Sequence, residues 1–129
     1  MRVLLADDQA WLRSAMRLLL EQEPDIEVVG EAGEANVLLS LVGAVTPDLL
    51  LLDWELPGTL SGARGECILN RLHNCCPEVA IIVLSGLPES GTHALDAGAD
   101  YFVSKADPPE ALLGAVLNVR RMRTSMAVD

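Results

Sequence analysis

Five side chains carry the chemistry that this sequence can offer. Asp7 and Asp8 stop the apolar run Val3-Leu4-Leu5-Ala6, and Asp53 ends the run Leu49 to Leu52. Ser85 follows the run Val79 to Leu84, and Lys105 follows Tyr101 to Val103 after a single serine. Taken singly, each aspartate is an ordinary strand-ending turn residue. Brought to one rim, three carboxylates repel and need a cation if all are to stay ionised. Oxygen-only ligands favour a hard ion such as Mg²⁺, which keeps several waters and takes one or two carboxylates plus phosphate oxygens. A carboxylate is also a nucleophile that can become an aspartyl-phosphate. The phosphoryl oxygens would then meet the Lys105 ammonium and the Ser85 hydroxyl.

The elements that must position these residues alternate along the chain. Apolar runs at Val3–Ala6, Ile26–Val29, Leu49–Leu52, Val79–Leu84 and Tyr101–Val103 read as strands. Residues 10–22, 34–45 and 63–74 have helical spacing, a short helix closes at Ala97-Gly98, and Asp107-Pro108-Pro109-Glu110 opens a last one. Asp107 is a candidate N-cap, and Gly98 suits the left-handed position after a helix. Strands that are continuously apolar are buried on both faces, which predicts an α/β fold with a five-stranded parallel sheet between helix layers. In such doubly wound sheets ligands bind outside the carboxyl ends of the strands, where all five side chains fall.

Composition bounds the rest. The chain has 129 residues, one domain's worth, and half are apolar. Trp11, Trp54, Tyr101 and Phe102 are its four aromatics, so the core must be aliphatic. With 9 basic and 19 acidic side chains its net charge is −10, which argues against nucleic acid as a partner of this chain alone. No stretch approaches a membrane span, and Asp7-Asp8 interrupt any signal-like start. Cys67, Cys75 and Cys76 are an odd set without CxxC spacing, which fits a reducing, cytoplasmic setting and no zinc.

At VLLADDQ (3–9), LLLLDWELPG (49–58), AIIVLSG (80–86) and ALDAGADYFVSK (94–105) the sequence resembles the receiver domains of two-component response regulators. The likeness covers residues 2–120. The GEAGEA segment (30–35) and ADPPEALLGAV (106–116) are most similar to the NarL/FixJ-type subfamily. The resemblance implies a flavodoxin/CheY-like fold with strand order 2-1-3-4-5. It implies Asp53 as phosphoacceptor for a sensor histidine kinase, and a Mg²⁺ site at Asp7, Asp8, Asp53 and the Glu55 main-chain carbonyl. It further implies Ser85 and Lys105 as phosphoryl-binding residues, Phe102 as the switch aromatic, and Glu55 and Leu87 as positions that tune rates. For Phe102 a plain core role stays open, as does a Glu55 side chain that points away from the site. Residues 1–120 would form the receiver, with 121–129 a tail or the start of a linker to a helix-turn-helix effector domain that regulates transcription. Such domains are not enzymes beyond their own phosphoryl transfer, and they homodimerise on phosphorylation. A stand-alone or pseudo-receiver interaction module is the alternative, and an aspartyl-phosphate phosphatase a weaker one.

The sequence departs from that pattern in three places. The loop WELPGTLSGARGE after Asp53 is long, the Ser85–Lys105 interval is short enough to predict a short fourth helix, and Ala106 stands where many relatives have a proline after a cis bond. A trans bond is expected before alanine. The helix at 34–45 carries Val37, Leu38, Leu39, Leu41, Val42, Ala44 and Val45, either to meet a partner domain or subunit or simply as an apolar helix in a very aliphatic protein.

Overall fold

Continuous apolar runs become buried strands. In the computed structural model, which describes residues 1–58 and 63–127 and their side chains outside 63–67 and 124–127, five strands form one parallel sheet. They are β1 (Arg2–Ala6), β2 (Glu27–Ala32), β3 (Leu49–Asp53), β4 (Ala80–Ser85) and β5 (Tyr101–Ser104), in the order β2-β1-β3-β4-β5. The helices are α1 (Ala10–Leu20), α2 (Ala35–Val45), α3 (Ala63–Cys75), α4 (Ser90–Asp96) and α5 (Pro109–Ala127). This is the doubly wound α/β arrangement that the sequence implies.

Alternate strand residues feed two cores. Leu4, Leu50, Leu52, Ile81 and Val83 pack with residues of α2, α3 and α4 on one face. Val3, Leu5, Leu49, Leu51 and Ile82 pack with Met16 and Leu20 of α1 and Leu112 and Val116 of α5 on the other. All four leucines of β3 are 0–1 % exposed. Burial of each contributes about 1.5–3 kcal/mol, which anchors the strand that ends in Asp53.

Several local expectations are met and others change. The fourth helix is short, seven residues long. It ends in a Schellman arrangement: Gly98 N–H donates to Leu95 O, Ala99 N–H donates to Ala94 O, and Gly98 takes φ +115°. No cis peptide occurs among the described residues, so the Lys105–Ala106 bond is trans. Asp107 does not cap α5, which begins at Pro109; its carboxylate instead accepts a hydrogen bond from Ser104 N–H at 3.2 Å. The second strand runs further than Ile26–Val29, through Gly30-Glu31-Ala32, and a register irregularity in the β1–β2 pairing lies between Val3 and Leu4.

The apolar α2 is a packed helix. Leu38 and Val42 are fully buried, and Leu39, Leu41 and Val45 pack partly buried against the same core. Val37 is its one large exposed apolar side chain among the described residues. Arg120, Arg121 and Arg123 lie within α5 and not after it. Arg120 pairs with Glu23 and Asp25, and Arg123 with Asp48, which ties α5 to two loops at the amino end of the sheet. Of the long loop after Asp53, residues 59–62 lie outside the described residues, as does the Cys67 side chain. No helix among the described residues is long and apolar enough to cross a membrane.

Candidate functional site

Three strand ends deliver the acidic cluster. Asp7 directly follows β1, Asp8 comes next, and Asp53 is the last residue of β3, the strand between β1 and β4, where it pairs with Leu84. One carboxylate oxygen from each of the three lies within 4.8 Å of the other two. Asp7 and Asp53 are buried, whereas Asp8 is exposed. Lys105, immediately after β5, reaches across so that its Nζ lies 2.9 Å from Asp7 Oδ2 and 3.2 Å from Asp53 Oδ1. Short hydrogen bonds orient the carboxylates: Gln9 N–H donates to Asp7 Oδ1 at 2.9 Å, and Glu55 N–H donates to Asp53 Oδ1 at 3.0 Å.

The electrostatics follow from that crowding. Burial, then the neighbouring Asp7 charge, pushes the Asp53 carboxyl up from 3.8 to about 6, against the Glu55 amide and Lys105, which pull it down. For Lys105, burial alone would lower the pKa. The Asp7 and Asp53 carboxylates outweigh it and hold the ammonium above its usual value. Asp7 Oδ2 is buried and receives no directed hydrogen bond among the described residues, with the Lys105 ammonium beside it.

This donor set fits Mg²⁺. All three ligand groups are hard carboxylate oxygens, gathered within 4.8 Å of one another, the donor type this ion prefers. The exposed Asp8 leaves an open side for the waters that this ion retains.

A second group of residues sits at the end of β4. Ser85 is fully buried, and its hydroxyl donates to Glu55 Oε2 at 2.7 Å. Gly86 N–H donates to Glu55 Oε1 at 3.2 Å, and Leu87 N–H donates to Ser85 Oγ at 3.0 Å. The Glu55 side chain thus turns inward to the rim. Leu87 is half exposed. Lys105 N–H donates to Ser85 O at 2.9 Å and ties the two strand ends together. Phe102 stands apart from these polar groups. It is partly buried against the core under α4, where a Cβ on Gly91 would meet its ring at 3.1 Å.

One contributor is absent from the sequence reading. Arg13 of α1 donates from NH1 to the Asp7 carbonyl and from Nε to Glu31 at 3.0 Å, while Arg17 donates to the same Glu31 carboxylate at 2.9 Å. Burial would raise the Glu31 pKa, but the two guanidiniums outweigh it and lower it. The signal was there: Arg13 and Arg17 are four apart, on one helix face, with an acidic residue in the adjoining strand.

Comparison with known proteins converges on one family. The family model for the response regulator receiver domain matches residues 3–117. The nitrate/nitrite response regulator protein NarL of Escherichia coli is 34 % identical over 119 residues, which is 88 % of this chain and 52 % of NarL. The chain therefore spans about half the length of that relative. Among solved structures, the receiver domain of AraT, a response regulator from Geobacillus stearothermophilus, superimposes with a TM-score of 0.84 at 26 % identity, covering 98 % of this chain and 97 % of that one. RcsB from Salmonella enterica serovar Typhimurium, bound to a promoter in the presence of the phosphomimetic BeF₃⁻, has a TM-score of 0.82 at 26 % identity, covering 94 % and 60 %.

Proposed function

This chain belongs to the response regulator receiver family, and we propose that it is a phosphorylation-switched signalling module whose phosphoacceptor is Asp53. The observation that carries this reading is the Lys105 ammonium placed between Asp7 and Asp53, beside three clustered carboxylates. An Asp53 carboxylate oxygen attacks the phosphorus of a phosphohistidine on a sensor histidine kinase. A P–O bond forms as the P–N bond breaks, and the electron pair leaves with the imidazole, which takes up a proton.

Asp7, Asp8, Asp53 and the Glu55 main-chain carbonyl would hold Mg²⁺, with Asp7 acting largely through water. The bound ion supplies positive charge that keeps the carboxylates ionised and offsets charge on the phosphoryl oxygens. The chain's own residues do the rest. The Glu55 N–H fixes the plane of the Asp53 carboxylate, and Lys105 offers an ammonium to the arriving phosphoryl group. Ser85 presents its hydroxyl from the next strand end, and Phe102 reads the change under α4.

Residues 1–120 form the receiver in this proposal, and 121–129 lead towards an effector domain, with α5 continuing through that boundary. The doubled length of NarL and the promoter-bound RcsB favour a DNA-binding partner domain. Transcription would be its output, and phosphorylation would promote a homodimer. With a net charge of −10, DNA binding belongs to that further domain and not to this one. Catalysis by this chain is confined to its own phosphoryl transfer and loss.

The test is intact-mass analysis with acetyl phosphate. The expected result is a species about 80 Da heavier that requires Mg²⁺, is abolished by EDTA and is absent in Asp53→Asn, the mass being that of one added phosphoryl group. A heavier species that persists in Asp53→Asn would overturn the assignment, and multiple turnover of small phosphate esters would favour a phosphatase. Leu87 is half exposed and lies two residues after Ser85; in this reading its side chain would obstruct the water that hydrolyses the phosphoryl bond in line. Leu87→Ala is therefore expected to shorten the lifetime of the phosphorylated species without weakening Mg²⁺ binding. An unchanged decay after donor removal would place that control elsewhere.

A further inference from the structure

The Glu55 side chain holds the Ser85 hydroxyl, assigned above to the phosphoryl group on Asp53, together with the neighbouring Gly86 N–H. Its Oε2 takes the Ser85 hydroxyl proton at 2.7 Å, and its Oε1 takes the Gly86 N–H at 3.2 Å. A serine hydroxyl has one proton to donate, so it cannot serve Glu55 and a phosphoryl oxygen together. One of its two lone pairs is also engaged, since Leu87 N–H donates to Ser85 Oγ at 3.0 Å. The hydroxyl is thus aimed by the loop backbone and committed to the carboxylate.

We propose that Glu55 is an internal competitor of the Asp53 phosphoryl group, a carboxylate latch on Ser85 and Gly86 that phosphorylation must displace. The proposal rests on the phosphoacceptor reading of Asp53 and adds a regulator of that site. Glu55 binds with both carboxylate oxygens, as one edge of a phosphoryl group would, and it carries the same sign of charge. Its residue is exposed while Ser85 is fully buried, so a displaced Glu55 is rehydrated at once and release leaves no buried charge behind. Occupation of one donor pair by two anions is mutually exclusive. By linkage, the factor by which the latch weakens a phosphoryl mimic equals the factor by which the mimic weakens the latch. The end of β4 therefore has two arrangements, latched and phosphoryl-bound, with Ser85 and Gly86 exchanged between them. The strength of the latch sets how much phosphodonor is needed to switch the domain.

Two measurements test this on the whole chain, with Glu55→Ala, Glu55→Gln and a control, Glu89→Ala, which removes an exposed loop charge. The first is hydrogen exchange of the Gly86 amide without metal or phosphodonor, and the second is the affinity for beryllofluoride with Mg²⁺. In Glu55→Ala the Gly86 amide is expected to exchange faster and beryllofluoride to bind about tenfold more tightly, a gain equivalent to about one charge-assisted hydrogen bond no longer competed for. Glu55→Gln, which keeps one acceptor oxygen, is expected to fall between Glu55→Ala and wild type. Unchanged Gly86 exchange in Glu55→Ala would overturn the latch. So would a Glu89→Ala protein that tightens beryllofluoride as much, because charge alone would then suffice. A wild type that binds beryllofluoride while Glu55→Ala binds it no better overturns the latch and leaves the phosphoacceptor reading intact. A wild type that takes neither beryllofluoride nor a phosphoryl group overturns the phosphoacceptor reading and the latch with it.

Discussion

Lys105→Ala is expected to slow phosphorylation of Asp53 by about 10²–10³-fold, the usual cost of removing one preorganised group that meets developing charge. Two effects act in the same direction. The ammonium lies 3.2 Å from Asp53 Oδ1, so its loss removes a positive charge aimed at the phosphoryl oxygens. It is also one of the groups that pull the Asp53 pKa down against burial and Asp7. Without it, a larger fraction of Asp53 is protonated near neutrality and unable to attack. The same loss leaves Asp7 Oδ2 buried with neither a directed hydrogen bond nor a nearby ammonium, so the metal becomes the main counter-charge. Mg²⁺ is therefore expected to raise the melting temperature of Lys105→Ala more than that of wild type. Lys105→Arg, which keeps the charge but not the compact ammonium, should recover part of the rate. A time course of the heavier species with acetyl phosphate reads all three proteins. A Lys105→Ala rate within twofold of wild type would show that Lys105 is only a structural counter-ion, as a twofold change is well under 1 kcal/mol.

Most of this site was legible because its residues end strands. A continuous apolar run such as Leu49–Leu52 can be little other than a buried strand, and the residue that stops it must lie at the carboxyl end of that strand. Asp7, Asp53, Ser85 and Lys105 could thus be placed on one rim by counting runs. What could not be read was direction. Whether the Glu55 side chain faces inward depends on the backbone path after β3, and periodicity carries no information about a loop. The structure turns it to Ser85 and Gly86, where charge repulsion alone gave no reason to expect a contact.

Polar strands were hidden for a related reason. Gly30-Glu31-Ala32 extends β2 at the sheet's edge, where the glutamate is matched by Arg13 and Arg17 from α1. Because that stretch is not apolar, the strand read as ending at Val29. The last helix likewise runs into the segment 121–129 that read as a tail or linker: Arg123 lies within it and pairs with Asp48, and Arg120 pairs with Glu23 and Asp25, all from distant loops. Long-range ion pairs leave no local pattern. The apolar α2 was undecidable from sequence because two solutions satisfied it equally, and burial of Leu39, Leu41 and Val45 against the core selects packing.

The same crowding at Asp53 should cost the metal-free fold stability, in a way that pH exposes. The Asp53 carboxyl is raised from 3.8 to about 6 by burial and by Asp7. A carboxyl with a raised folded pKa contributes stability that is fully present below its unfolded pKa. That contribution is lost as pH rises through the folded value, because the folded state must then give up a proton it holds more tightly than the unfolded chain does. In EDTA, Asp53→Asn should therefore be more stable than wild type above about pH 6, by about 2 kcal/mol, and should lose that advantage as pH falls towards about 4. For a chain of this size that corresponds to roughly 5–8 °C in melting temperature. The difference between the two proteins is the quantity to follow, not either curve alone. Glu31, whose pKa is lowered by its two arginines, works in the opposite sense, and its contribution fades as pH falls. It is common to both proteins and cancels. Saturating Mg²⁺ should shrink or reverse the gap at neutral pH, since wild type gains a ligand that the asparagine variant holds less well. A gap in EDTA that does not change between about pH 4 and 7 would mean that Asp53 titrates alike in the folded and unfolded chain. The repulsion with Asp7 would then be fully offset by Lys105 before any metal arrives.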